Sequence, residues 1–143
     1  MIQITPTAVF SLVNLIAMPM WILMIFLPKW RVTQFLIDFK AIPIVLSAVY
    51  IFYIIQSMFV GGLMDFGSLS SVMKLFTEEN AVLAGWVHYL AFDLLVGMWM
   101  VTKNKEIGVH QLLMAPCLFF TFMLGPMGFL MFMSVKAIKH KIS

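Results

Sequence analysis

The sequence predicts an all-α integral membrane protein: a bundle of four transmembrane helices with a short interfacial helix between the second and third. Composition is the first reason. The chain is 63% hydrophobic and 10% charged, with a mean hydropathy of +1.04, where soluble domains run ~45–50% apolar and ~25% charged. A water-soluble globular protein is excluded. Run length is the second reason, because four apolar stretches each approach the ~20 residues that a helix needs to cross a bilayer core. The third is periodicity: the runs are uniformly apolar and do not alternate at period two, which favours helices over a barrel. Within 143 residues this leaves one membrane domain, 1–143, and no separate soluble one.

The first span, about 7–27, carries Asn14 and Pro19 and stops at Pro28-Lys29-Trp30-Arg31. A polar connection, Lys29–Lys40, leads to the second span, about 41–60, with Pro43 in the first turn where a helix tolerates it; Gly61-Gly62 ends it. In the stretch 67–76, Leu69, Val72, Met73 and Phe76 fall at i, i+3, i+4, i+7 and Ser70, Ser71 and Lys74 lie off that stripe, the pattern of a helix lying on a membrane surface. Thr77-Glu78-Glu79-Asn80 reads as a helix start with Thr77 as cap and acids in the first turn. The third span follows, about 81–101. Lys103–Glu106 separates it from the fourth, about 111–135, which contains Pro116 and a kink-prone Gly125-Pro126-Met127-Gly128.

Charge restricts the partners. Lysines sit singly at the ends of apolar runs and form no patch, which argues against nucleic acid. In a four-span layout Lys29, Arg31, Lys40, Lys103 and Lys105 fall on one side and Lys74, Lys136, Lys139 and Lys141 on the other, so the positive-inside rule barely discriminates. The three charges of the first connection lean towards both termini outside the cytoplasm. MIQITPTAVF has no basic leader region, and no cleavage is expected. Cys117 is the only cysteine and stands in an apolar run, as a small buried side chain does.

An ionisable residue at membrane depth is costly and marks function by default. His88 and Asp93 qualify, both inside the third span. At ~100° per residue Glu79, Trp86, Tyr89, Leu90, Asp93, Gly97 and Met100 share one face; Ala81, Ala84, Gly85, His88, Ala91 and Trp99 share the neighbouring one, whose small residues admit a partner helix. His88 and Asp93 lie about 140° apart and about 7.5 Å along the axis, so a shared intrabundle cavity is expected. Two readings of the pair stand: a proton donor and acceptor, or a packed imidazole and a structural acceptor for Tyr or Trp. Acids at 78 and 79 are also ordinary helix-start chemistry, and Asn14 is also ordinary interhelical glue. Metal binding lacks a pattern, since His88 and Asp93 at i, i+5 diverge and no His-x-x-His or His-x-x-x-His pair occurs. Acid/base chemistry on an apolar substrate, with no cofactor, is what remains.

The segment Glu78 to Trp99, with its Trp86-x-His88-x-Leu90-Ala91-x-Asp93-Leu94 pattern, is followed by Gly108-Val109-His110, Ala115-Pro116-Cys117-Leu118 and Gly125-Pro126-x-Gly128. Together these resemble the abscisic-acid-deficient-four-like family along the whole chain. Plant members of that family are linked to forming the allenic xanthophyll neoxanthin from the epoxide violaxanthin. With no long targeting extension and Lys outnumbering Arg eight to one, the chain looks like a relative in a bacterial plasma (inner) membrane. The resemblance implies a carotenoid epoxide isomerase-type (neoxanthin-synthase-like) activity. It fits the residues: His88 and Asp93 as the proton-transfer pair, Glu79 in reserve, and Trp86, Tyr89, Phe92, Trp99 and Asn14 lining an apolar polyene slot. The implied partners are a carotenoid or other isoprenoid lipid, membrane lipids, a second copy of the chain, or carotenoid-pathway enzymes. The alternative is a non-catalytic pigment- or lipid-binding or assembly protein, distinguished by the absence of product formation.

Overall fold

The computed structural model describes residues 5–62 and 64–142, and over these it is all-helical. Three helical stretches are long and apolar enough to cross a membrane. The first, α1 (Pro6–Phe26), starts where Thr5 accepts a hydrogen bond from the Ala8 amide at 3.3 Å and Pro6 takes the first helical position.

The connection expected as irregular holds a helix, α2 (Arg31–Phe39). Val32, Phe35, Leu36 and Phe39 repeat at i, i+3, i+4, i+7 there, the same signal that marks 67–76. Lys40, in the left-handed region at φ 51, separates it from α3 (Ala41–Gly61). A short α4 (Leu69–Leu75) follows, capped by Ser68. Its Leu69 and Met73, with Phe76 just beyond, are exposed and outside the bundle core.

The longest helix, α5 (Glu79–Ile107), organises the rest. α3 packs antiparallel to it, with Tyr50 5.5 Å from the His88 ring near the middle and Ser57 bonded to Glu78 at the end. α1 packs parallel to it. Phe10 lies 5.4 Å from Trp86, and further along the Trp21 ring presses so closely on Gly97 that a Cβ there would come within 2.7 Å of it.

The cap of α5 is Glu78 and not Thr77, whose hydroxyl turns back to the Lys74 carbonyl at 2.6 Å. The Glu78 carboxylate accepts from the amides of Asn80 (3.1 Å) and Ala81 (2.7 Å) and from the Ser57 hydroxyl (2.8 Å), so it also ties α3 to α5. Partial burial pushes this carboxyl up, but the bonds from Ser57, Asn80 and Ala81 outweigh it and hold the group below the usual carboxylate range. A group depressed in the folded state contributes stability above its unfolded pKa, and that contribution is lost as pH falls through the folded value. Glu78→Gln is therefore expected to lower stability by about 1 kcal/mol at neutral pH, with the difference from wild type shrinking below about pH 4. Melting temperatures of both proteins from neutral to acidic pH check this; a constant difference rejects it.

The largest departure from expectation is the 111–135 span, which the structure replaces with two helices, α6 (Gln111–Leu124) and α7 (Pro126–Ile142). A Cβ placed on Gly128 would collide with the Thr121 amide and hydroxyl and the Cys117 carbonyl. In one continuous helix, residues 117 and 128 would stand about 16 Å apart; here they touch. The two helices also run opposite ways against α5. In α6, Gln111 lies by the end of α1, bonded to the Ile25 carbonyl, and Thr121 is already level with Met100. In α7, Phe129 and Phe132 pack on Trp99, and Lys139 reaches the Gly108 carbonyl beyond the end of α5. The pair is thus a hairpin that enters beside α5, reverses at Gly125 and returns.

That hairpin rearranges the charges. Lys29, Arg31, Lys40, Lys103, Lys105, Lys136, Lys139 and Lys141 now share one end of the bundle, and Lys74 alone holds the other: eight against one of the nine basic residues. By the positive-inside rule such an asymmetry favours the eight-charge end as the cytoplasmic one. The start of α1 and the end of α7 lie at opposite ends of the bundle, where the four-span layout put both termini on one side. Single cysteines in a Cys117→Ser background test this: Lys105→Cys and Lys141→Cys are expected to react with an impermeant thiol reagent from the same side, and Ser70→Cys from the opposite one. Labelling of Lys141→Cys from the Ser70 side would restore the four-span layout.

Candidate functional site

Asp93 is the central residue of the 29 in α5, on the face that α1 and α6 cover. The tip of the hairpin rests on it. Gly125 has φ +52, a conformation that an L side chain rarely adopts, and a Cβ there would lie 2.8 Å from Asp93 Oδ1 and 3.2 Å from Oδ2. Oδ2 is buried and without a hydrogen-bond partner among the described residues. The carboxyl is thus held at the middle of the longest helix, against bare backbone.

Tyr89, one turn before Asp93, explains how the tip is tolerated. Pro126 has no amide hydrogen, so the carbonyl of Phe122, four residues earlier, has no helical donor. The Tyr89 hydroxyl supplies one, donating to Phe122 O at 3.3 Å. At membrane depth a broken helix persists only where such groups are re-satisfied. Tyr89 stands one helical turn from Asp93, so its phenol lies between the tip backbone it bonds and the buried acid.

Tyr89 also opens onto a cleft of about 500 Å³ between the start of α1, the Phe76 ring beyond α4 and the first turns of α5. Phe10, Phe76, Leu83 and Trp86 make its walls and Glu79 its main polar group. Phe10, Trp86 and Tyr89 form an aromatic ladder with centroid spacings of 5.4 and 5.6 Å. Asn14 fixes it in place. Its amide donates to the Phe10 carbonyl at 2.7 Å, while its Oδ1 accepts from the Trp86 indole at 3.3 Å. This is the interhelical role weighed for Asn14, at the edge of the cleft.

The expected site residues therefore divide. Glu79, Trp86 and Tyr89 line the cleft, Asn14 braces it, and Asp93 lies one turn beyond it behind Tyr89. His88 does not share a cavity with Asp93. It projects from the exposed α3 side of α5, stacked on Phe92 at 4.6 Å and tilted against Tyr50. Phe92 goes with it, and Trp99 packs instead on Phe129 and Phe132 of α7. No group of three or more His, Cys, Asp or Glu side chains comes together among the described residues to hold a metal. The sequence reading missed Phe10 and Phe76 as walls and Gly125 as the seat of Asp93. Phe76 was within reach as the last residue of the apolar stripe of 67–76; in the structure it packs on Gly85, where a Cβ would meet its ring at 3.2 Å.

A family model described as ABA DEFICIENT 4-like matches residues 8–132, a span that takes in all but the first two residues of α1, all of α5 and α6, and the hairpin tip. No curated protein and no solved structure matches the chain.

Proposed function

The chain belongs to the ABA DEFICIENT 4-like family, and from that premise we propose that it is an isomerase-like protein of a bacterial plasma membrane, acting without a cofactor on a carotenoid, xanthophyll or related isoprenoid lipid. The observation that carries this reading is the buried Asp93 carboxyl, its Oδ2 without a hydrogen-bond partner among the described residues, one helical turn from Tyr89 in the wall of an aromatic cleft. In an epoxide-to-allene isomerisation one C–O bond breaks, the oxygen gains a proton and a vinylic carbon loses one; no electrons are exchanged. Two proton-transfer groups suffice. Tyr89 delivers its proton to the substrate oxygen and regains one from Asp93 in its acid form, while the Glu79 carboxylate, across the cleft, takes the vinylic proton. Asp93 and Glu79 exchange roles and are reset by one proton passing between them through solvent at the mouth. The cleft holds one end group between the Phe10–Trp86 pair and the Phe76 ring, and the polyene extends into the surrounding lipid.

One observation favours the second reading, a protein that binds or hands on a pigment or lipid without changing it: Asp93 is not itself in the cleft wall. The same experiment addresses both. Protein purified from a carotenoid-containing membrane is expected to carry a polyene absorption band and to convert an added epoxy-carotenoid into an isomer of equal mass. Bound pigment without conversion supports the second reading, and neither signal sinks both.

A further inference from the structure

A second cleft, of about 600 Å³, lies at the opposite end of the bundle between the last turns of α5 and the second half of α7. Lys103, Lys136, Lys139 and Glu106 line it, with Met133 and Ile107 as an apolar wall. Two of the lysines have local partners. Lys103 pairs with Glu106, and Lys139 donates to the Gly108 carbonyl at the end of α5, the ordinary use of a lysine near a helix C-terminus. Lys136 forms no close ion pair among the described residues and feels Glu106, already bonded to Lys103, only at longer range; it stands half-buried one turn before Lys139, on the side of Met133. Three lysines against the single carboxylate of Glu106 leave this concavity net positive beside an apolar wall, at the edge of a membrane bundle, which matches a ligand with an anionic head and hydrocarbon tails.

We propose that this cleft binds the headgroup of an anionic phospholipid, its phosphodiester against Lys136 and Lys103 and its chains along Met133 and Ile107. Charge complementarity selects that occupant. The cleft lies at the end that collects eight of the nine basic residues, the end facing the negatively charged cytoplasmic leaflet. A soluble phosphate ester would meet the lysines but leave Met133 and Ile107 against water, whereas a diacyl lipid covers both.

The test is native mass spectrometry of the full chain released from nanodiscs of mixed phosphatidylcholine and phosphatidylglycerol. Wild type is expected to retain one phosphatidylglycerol in preference to phosphatidylcholine. Lys136→Gln is expected to reduce that preference by about fivefold, the effect of one surface cation on anionic lipid, and Lys136→Arg to keep it. Lys29→Gln, at the same end but outside the cleft, is expected to keep it too. Equal retention by Lys136→Gln and wild type overturns the proposal, as does an equal loss in Lys29→Gln, since either result assigns the preference to diffuse surface charge. Displacement of the lipid by millimolar glycerol 3-phosphate overturns it in favour of a soluble ester.

Discussion

Asp93→Asn is expected to abolish turnover of the isoprenoid substrate, by about 10²–10⁴-fold, and to leave the melting temperature unchanged or higher. Asparagine keeps the shape that fits against Gly125 and removes only the exchangeable proton. A carboxylate with one oxygen buried and unpartnered carries a desolvation cost of several kcal/mol if ionised, so replacing it by a neutral isostere does not weaken the fold. A conversion assay and a thermal melt on the same preparation decide: retained turnover rejects the catalytic role, and unfolding assigns Asp93 to packing. His88→Gln is the companion measurement, expected to leave turnover intact because the imidazole faces the α3 side. Loss of turnover there, with the fold retained, would return His88 to the reaction and displace Tyr89.

The largest loss of stability is expected from Gly128→Ala. One added methyl would overlap the Thr121 amide, the Thr121 hydroxyl and the Cys117 carbonyl, which are backbone or tied to it by the 2.8 Å bond from Thr121 Oγ1 to Cys117 O. Backbone cannot rotate aside as a side chain can, so α6 and α7 must separate, at a cost of about 3 kcal/mol or more. Gly85→Ala is the comparison, because its only close neighbour among the described residues is the Phe76 ring, a side chain able to shift, and its cost is expected to stay below about 1 kcal/mol. Urea or thermal unfolding in detergent micelles measures both. Equal stability of the two variants would show that the hairpin does not close as described.

Three helices were legible from run length alone. α1 at Pro6–Phe26 and α3 at Ala41–Gly61 fall within a residue of the expected 7–27 and 41–60, whereas α5 extends to Glu79–Ile107 around the expected 81–101. Its additional turns are polar, and hydropathy reports where a helix is apolar, not where its hydrogen bonds stop. The Asp93 face was legible too. The 100° rule grouped Glu79, Trp86, Tyr89, Asp93 and Gly97, and these are the residues that meet α1, the cleft and the hairpin tip. The angle of about 140° between His88 and Asp93 already argued against their meeting, and the expectation of a common cavity asked too much of it.

The hairpin was not legible from run length, because 111–135 is long enough to span and a Gly-Pro pair most often only kinks a helix. What separates a kink from a reversal is the contact of Gly128 with Cys117 and Thr121, and nothing local in the sequence reports it. A global signal was present: reversing the chain at Gly125 moves Lys136, Lys139 and Lys141 to join the other five and turns an even distribution of charge into a one-sided one.

The hairpin also has a consequence for biosynthesis. Because α6 and α7 enter and leave by one end of the bundle, the segment from Gln111 to Ile142 does not have to be carried across the bilayer; the connection at the opposite end is the stretch around α4, with Asp65, Lys74, Glu78 and Glu79 as its charges. Chains emerge amino end first, so α1, α3 and α5 are in place before Gly125 leaves the ribosome. Tyr89 and Asp93 then wait, uncovered, for the last segment to settle on them. Assembly is thus ordered, the hairpin closing over the acid as the final step, and a chain stalled before Gln111 would leave Asp93 facing lipid at the middle of α5, where no water can satisfy it.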